Sequence, residues 1–243
     1  MADESRIEKR KQEKQGGDDD GSEFWSYVAL VGIIGVVVVI SYFVFFSGGA
    51  AAEVEPWDDV KAIEGDDPTM VAADAGANET DEMVEVVYFG DFACPSCVSF
   101  ERNSFSTLKD EYIATGDVRF VFRPVDFMAE ADEDSHRAAL GAQAVWEQEP
   151  RVYWTWHRTM FANYDPRANW ASPSDIGRFA SGVGADGYGV TESVAQGRHA
   201  DVVEKHRSQA REDGIRGTPS FVVEDETVVT GGDYGSLTEE INR

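Results

Sequence analysis

The chain holds only two cysteines, and they stand three residues apart in Cys94-Pro95-Ser96-Cys97. A structural disulfide stabilises mainly by closing a long loop in the unfolded chain, and this spacing closes almost none. The spacing suits thiol chemistry instead, with one sulfur forming a mixed disulfide and its neighbour resolving it. It also constrains the backbone. Proline is tolerated in the first turn of a helix, where its missing N–H leaves no bond unmade, so the pair is expected to open a helix. Structural zinc needs four ligands. His136, His157, His199 and His206 form no H-x₃₋₅-H partner beside a second CxxC, so no metal site and no cofactor are expected.

The residues around the pair give its setting. Met83 to Phe89 (MVEVVYF) is a compact apolar run that fits a buried central strand. Val98 to Ile113 reads as a helix with Phe100, Phe105, Leu108 and Tyr112 on one face, and Val118 to Phe122 as a second strand. Strand, helix, strand in this order is a right-handed βαβ unit. Pro124 to Asp213 is mainly helical, with segments at Ser135–Gln148, Val152–Phe161, Ser172–Gly182 and Ser193–Glu212. A loop through Gly217-Thr218-Pro219 leads into a hairpin, Ser220–Glu224 and Thr227–Thr230, and a last helix begins near Ser236. The GxGxxG match at 182–187 follows a helix rather than a strand and is read as a loop. His136, His157, Trp154 and Trp156 are assigned to packing in the helical block.

The N-terminal part has a different character. Residues 1–23 are polar and carry Arg6, Lys9, Arg10, Lys11 and Lys14. Phe24 to Phe46 then runs for 23 residues without a charge. At ~1.5 Å per residue this spans a hydrocarbon core of ~30 Å, and its length argues for an uncleaved anchor over a secretory signal. The Lys/Arg cluster lies only on the N-terminal side, which is expected to place that end in the cytoplasm and the rest outside. Residues 47–81 read as a flexible linker, with an N-glycosylation sequon at Asn78-Glu79-Thr80. The formal net charge of -25 repels nucleic acid, so none is expected as a partner. The spread of acid along a chain that keeps its aromatics resembles a halophilic surface.

Strand, CxxC, helix, strand, helical block, Gly-Thr-Pro, hairpin and helix together resemble the DsbA-like branch of the thioredoxin superfamily. Asp91-Phe92-Ala93-Cys94-Pro95-Ser96-Cys97 and Gly217-Thr218-Pro219-Ser220-Phe221 carry the resemblance. It implies an α/β thioredoxin fold over residues 82–243, with a helical insertion at about 124–213; the transmembrane helix expected at 24–46 precedes it. It implies that Cys94 is the nucleophile, Cys97 the resolving thiol, Pro95 and Ser96 the tuning pair, and Thr218 with a cis Pro219 the substrate-binding edge. Cys94 at a helix N-terminus fits that role, since orphan N–H groups and the helix dipole favour a thiolate. Asp91 and Glu101 are expected to push the thiol pKa up. Without the histidine of the strongly oxidising DsbA dipeptide, the pair should be a milder oxidant.

The expected function is thus a membrane-anchored protein thiol–disulfide oxidoreductase. It would act outside the cytoplasm on secreted or membrane proteins, form disulfides, and be recycled by a membrane redox partner. The same residues also fit a reductase or isomerase, for example in cytochrome maturation, and a non-catalytic peptide-binding adaptor.

Overall fold

In the computed structural model, the apolar run from Val84 lies at the centre of a six-stranded sheet. Residues 54–76, 80, 82–130, 132–167 and 169–243 are described, with 28, 30, 31 and 52 besides. The strands are β1 (Val60–Ile63), β2 (Thr69–Ala72), β3 (Val84–Gly90), β4 (Val118–Pro124), β5 (Ser220–Val223) and β6 (Thr227–Thr230). Their order is β1-β2-β4-β3-β5-β6. β3 and β4 run parallel, from Val84 opposite Val118 to Gly90 opposite Pro124, and the other pairings are antiparallel.

A parallel pair needs a crossover rather than a hairpin. Here α1 (Pro95–Asn103), α2 (Phe105–Leu108) and a π-helical turn (Lys109–Ile113) supply it. Between β4 and β5 comes the helical insertion: α3 (Glu133–Gln148), α4 (Pro150–Ala162), α5 (Pro173–Gly182), α6 (Gly187–Ala195) and α7 (Ala200–Glu212). α8 (Tyr234–Ile241) follows the hairpin. Side chains alternate faces along a strand. Val86 and Tyr88 therefore join Phe120, Phe122 and Phe221 in the main core, while Val87 and Phe89 meet Val121, Val222, Ala210 and Ile215 on the other side. Both faces of β3 are covered, which accounts for the apolar run Val86–Phe89 within it.

Three expectations need correction. Part of the expected linker is sheet, since β1 and β2 lie within 47–81. Each is only four residues long and too short to show a period. The helix expected over Val98–Ile113 starts at Pro95 and is broken at Ser104. The large apolar side chains it buries are Phe100, Phe105, Leu108 and Ile113. Five-residue steps overshoot a 3.6-residue turn, and the break and the wide π turn bring each side chain back to the core. The polar helix expected over Ser193–Glu212 is two helices. α6 ends in a Schellman turn, with Arg198 N–H on Ser193 O (3.1 Å), Gly197 N–H on Val194 O (3.1 Å) and Gly197 at φ 63°.

Among the described residues no helix is long and apolar enough to cross a membrane. The tail at 1–23 and Asn78 lie outside the described residues. So does the run 24–46, apart from Val28, Leu30 and Val31, which are helical and exposed.

Polar contacts hold the two N-terminal strands in place. Asp67, between β1 and β2, accepts from Arg123 Nε on β4 (2.8 Å) and pairs with His206 Nε2 on α7 (2.9 Å). His206 is fully buried, and its Nδ1 meets Pro124 O at 3.1 Å. Burial opposes the Asp67 charge, but the His206 and Arg123 contacts outweigh it and hold the carboxyl below its ordinary value. Asp67→Ala strands a buried imidazole and a guanidinium, and should cost about 2–3 kcal/mol at pH 7 in a urea titration. A depressed carboxyl pKa stabilises fully above its unfolded value, 3.8. The gap between parent and variant should therefore persist down to that pH and close only below it.

Candidate active site

The site forms where the C-terminal end of β3 hands over to α1. Asp91 to Cys94 make a tight turn, with Cys94 N–H on Asp91 O at 3.0 Å. Cys94 is the N-cap of α1, in extended backbone, and Pro95 opens the helix. Pro95 and Ser96 are exposed, Cys94 is 9% exposed and Cys97 is fully buried one turn in. Both are free thiols. From far along the chain, the loop before β5 brings Thr218 alongside, so that the Cys94 thiol donates to Thr218 O at 3.4 Å. The Thr218–Pro219 peptide is cis. Gly232 lies against Pro219 at φ 69°, and a Cβ there would fall 2.7 Å from Pro219 Cγ. The six residues proposed from sequence thus all belong to this one region: Cys94, Pro95, Ser96 and Cys97 on α1, Thr218 and Pro219 on the facing loop.

The two sulfurs differ sharply. The Cys97 thiol is the main donor toward Cys94 and outweighs the effect of burial. The Thr218 side chain and the N–H groups of Cys97 and Ser96 add to it, and the Cys94 pKa falls to about 5. Cys97 goes the other way, pushed up by burial, then by its hydrogen bond to Cys94 and by the Cys94 charge. The donors reaching Cys94 therefore override the acid effect expected from sequence. Glu101 is engaged elsewhere, 3.0 Å from His157 Nε2, with both side chains buried. Ser96 acts on the Cys94 sulfur through its backbone N–H.

Phe92 anchors the turn from below. It stacks on Phe161 (4.6 Å) and meets Phe122, Trp156 and His157 edge-on. Trp154, Trp156 and His157 are core residues of the insertion, in agreement with the sequence reading. Sequence reasoning did not find the contacts of Asp91. Its carboxylate accepts from Ala93 N–H (2.9 Å), Met128 N–H (2.9 Å) and the Ser135 hydroxyl (2.8 Å). Its own N–H points at Cys97 Sγ, 3.5 Å away. The position of Asp91 beside the dithiol was a signal, but partners this distant in sequence carried none.

An activated thiol at a helix N-terminus, a buried partner one turn in and a facing cis-proline loop define a thioredoxin-fold dithiol enzyme. Known proteins narrow the class. The family model described as Thioredoxin matches residues 75–243. Disulfide bond formation protein D of Bacillus subtilis is 31% identical over 165 residues, 67% of this chain and 73% of that one. The crystal structure of oxidised BdbD from the same organism superposes with a TM-score of 0.64 at 29% identity, over 75% of this chain and 94% of that one. MdbA, a thiol-disulfide oxidoreductase from Corynebacterium diphtheriae, shares the fold with a TM-score of 0.64 at 18% identity, covering 80% of this chain and 100% of that one. The chain belongs to the DsbA-like thiol–disulfide oxidoreductases of the thioredoxin superfamily, and is a protein thiol–disulfide oxidoreductase.

The asymmetry of the sulfurs is directly measurable. Thiolate absorbance at 240 nm in the reduced protein should rise with a midpoint near pH 5, and iodoacetamide at pH 7 should label Cys94 and spare Cys97. A depressed thiol pKa contributes stability fully above the ordinary thiol value of about 8.5 and loses it as pH falls through the folded value. The reduced form should therefore gain stability over the oxidised form as pH rises from about 5 toward 8.5, and equal labelling of both cysteines would overturn the assignment.

Proposed function

We propose that this chain is a membrane-anchored enzyme that introduces disulfides into secreted or membrane proteins outside the cytoplasm. The observation that carries the reading is the pairing of a Cys94 thiol lowered to about 5 with a buried, high-pKa Cys97. A stabilised thiolate favours the reduced form of the enzyme, so its disulfide is readily given up to a substrate. The name of the Bacillus relative, a disulfide bond formation protein, supports the same direction. The uncharged run at 24–46, with a Lys/Arg cluster on its N-terminal side only, supports anchoring with residues 82–243 outside.

In this reading a substrate thiolate attacks Cys94 Sγ of the enzyme disulfide. The Cys94–Cys97 bond breaks, and the electron pair leaves on Cys97, whose sulfur faces the Asp91 N–H. Thr218, beside Cys94, offers backbone to an extended substrate segment as an added strand. A second substrate thiolate attacks the substrate sulfur of the mixed disulfide and expels Cys94 as a thiolate. The substrate leaves oxidised by two electrons, and a membrane redox partner removes them from the dithiol.

Thioredoxin and DsbA have nucleophile pKa values near ~7 and ~3.5, so a value of about 5 supports an intermediate potential. Equilibration with glutathione should give a potential between about -270 and -120 mV, and a value at or above the upper limit would refute the milder-oxidant reading. Cys94→Ser should reduce refolding of a reduced test protein to background, while Cys97→Ser should accumulate a mixed disulfide through Cys94. Protease added to intact cells should remove residues 82–243, and full protection would overturn the orientation.

A further inference from the structure

Asp91 is fully buried, and among the described residues it forms no ion pair. A carboxylate in such a place is costly, and a neutral side chain would serve for a simple turn. Its contacts extend well past the turn. One oxygen shapes residues 91–94 through Ala93 N–H, while the other takes Met128 N–H, before α3, and the hydroxyl of Ser135, in its first turn. The same residue's backbone donates to Cys97 Sγ. Asp91 thus links the dithiol to the helical insertion through one buried group.

We propose that Asp91 is a positioning residue that clamps the insertion to the dithiol turn, and that its charge state answers the charge on Cys94, so that the clamp differs between the reduced and oxidised enzyme. Protons balance in this scheme. A substrate dithiol that becomes a disulfide gives up two electrons and two protons. The electrons reduce the Cys94–Cys97 bond, one proton goes to Cys97, Cys94 remains a thiolate, and the second proton is shared between Asp91 and solvent according to pH.

The electrostatics agree with the geometry. Burial, with a smaller contribution from the Cys94 charge, raises the Asp91 pKa to about 6 against its three hydrogen bonds. Other titratable groups nearby are Cys97, the buried Tyr88 of β3, which interacts with both cysteines, Tyr164 beyond α4, which feels both Asp91 and Cys94, and Asp132 and Arg102, which act on Tyr164. Oxidation removes the Cys94 charge and leaves the rest.

The inference rests on Cys94 being the thiolate, which the 240 nm signal of the parent chain tests separately. The decisive measurement is the NMR titration of ¹³Cγ-labelled aspartate in the full chain in detergent. Asp91 should titrate near pH 6 when reduced, and its acid constant should rise by about threefold or more on oxidation. Linkage is reciprocal, so Asp91→Asn should increase the Cys94 acid constant by the same factor. Asp91→Asn should also speed amide exchange at Met128 by about tenfold or more, since an amide side chain cannot accept from all three donors. A purely structural role would leave the thiolate titration unmoved. If Asp91→Asn does not fold, Ser135→Ala keeps the charge, removes one donor and should move the Asp91 midpoint upward. An Asp91 midpoint that is the same in both redox states, or a thiolate curve unchanged by Asp91→Asn, overturns the proposal.

Discussion

The structure depends most on one electrostatic problem, the holding of negative charge on a buried sulfur. Burial alone raises a thiol pKa, so each lowering must come from a donor. Pro95 has no N–H, and the first backbone donors past Cys94 are those of Ser96 and Cys97. The Cys97 thiol and the Thr218 side chain complete the set. These groups come from α1 and from the loop before β5. They meet because β5 lies beside β3, with Phe89 opposite Ser220, at the end of the sheet where the cysteines emerge. The strand order thus serves the sulfur as directly as the helix does.

The helical insertion has a part in the same arrangement. It closes over the sheet through Phe161, Trp156 and His157, which receive Phe92 from the dithiol turn. The turn is therefore held on two sides, by aromatic packing from α4 and by hydrogen bonds from the α3 end. Aromatic packing is indifferent to charge, whereas the Asp91 contacts are not. A redox change at Cys94 can reach the insertion through the second route and not through the first.

Much of this was legible in the sequence, for identifiable reasons. The cysteine pair, Pro95, the apolar β3 run and the Gly-Thr-Pro loop are local signals, and the order of elements sets the topology. What escaped was set by long-range contacts. β1 and β2 look like tether because each has four residues, and their attachment comes from Asp67, Arg123 and His206, which lie far apart in the chain. The break at Ser104 was hidden because Tyr112 fits a regular helical face, whereas Ile113 is the residue the π turn buries. The thiolate at Cys94 was legible from its place at a helix N-terminus, but the weight of the nearby acids was not, because nearness in sequence does not measure engagement: Glu101 already had His157.

This last point bears on how the two cysteines acquire different roles. They are the same residue type on the same helix, three positions apart, and nothing in the side chains distinguishes them. Depth does. At the first position the sulfur still meets Thr218 and the open end of the helix. One turn further in it is buried, reached by the Asp91 N–H, and its own proton is best spent as a donor to Cys94. Each sulfur thereby fixes the state of the other, since the proton that Cys97 retains is the one that stabilises the Cys94 thiolate. A change that exposed Cys97 would weaken both roles together, because the inequality between the sulfurs is a property of the pair.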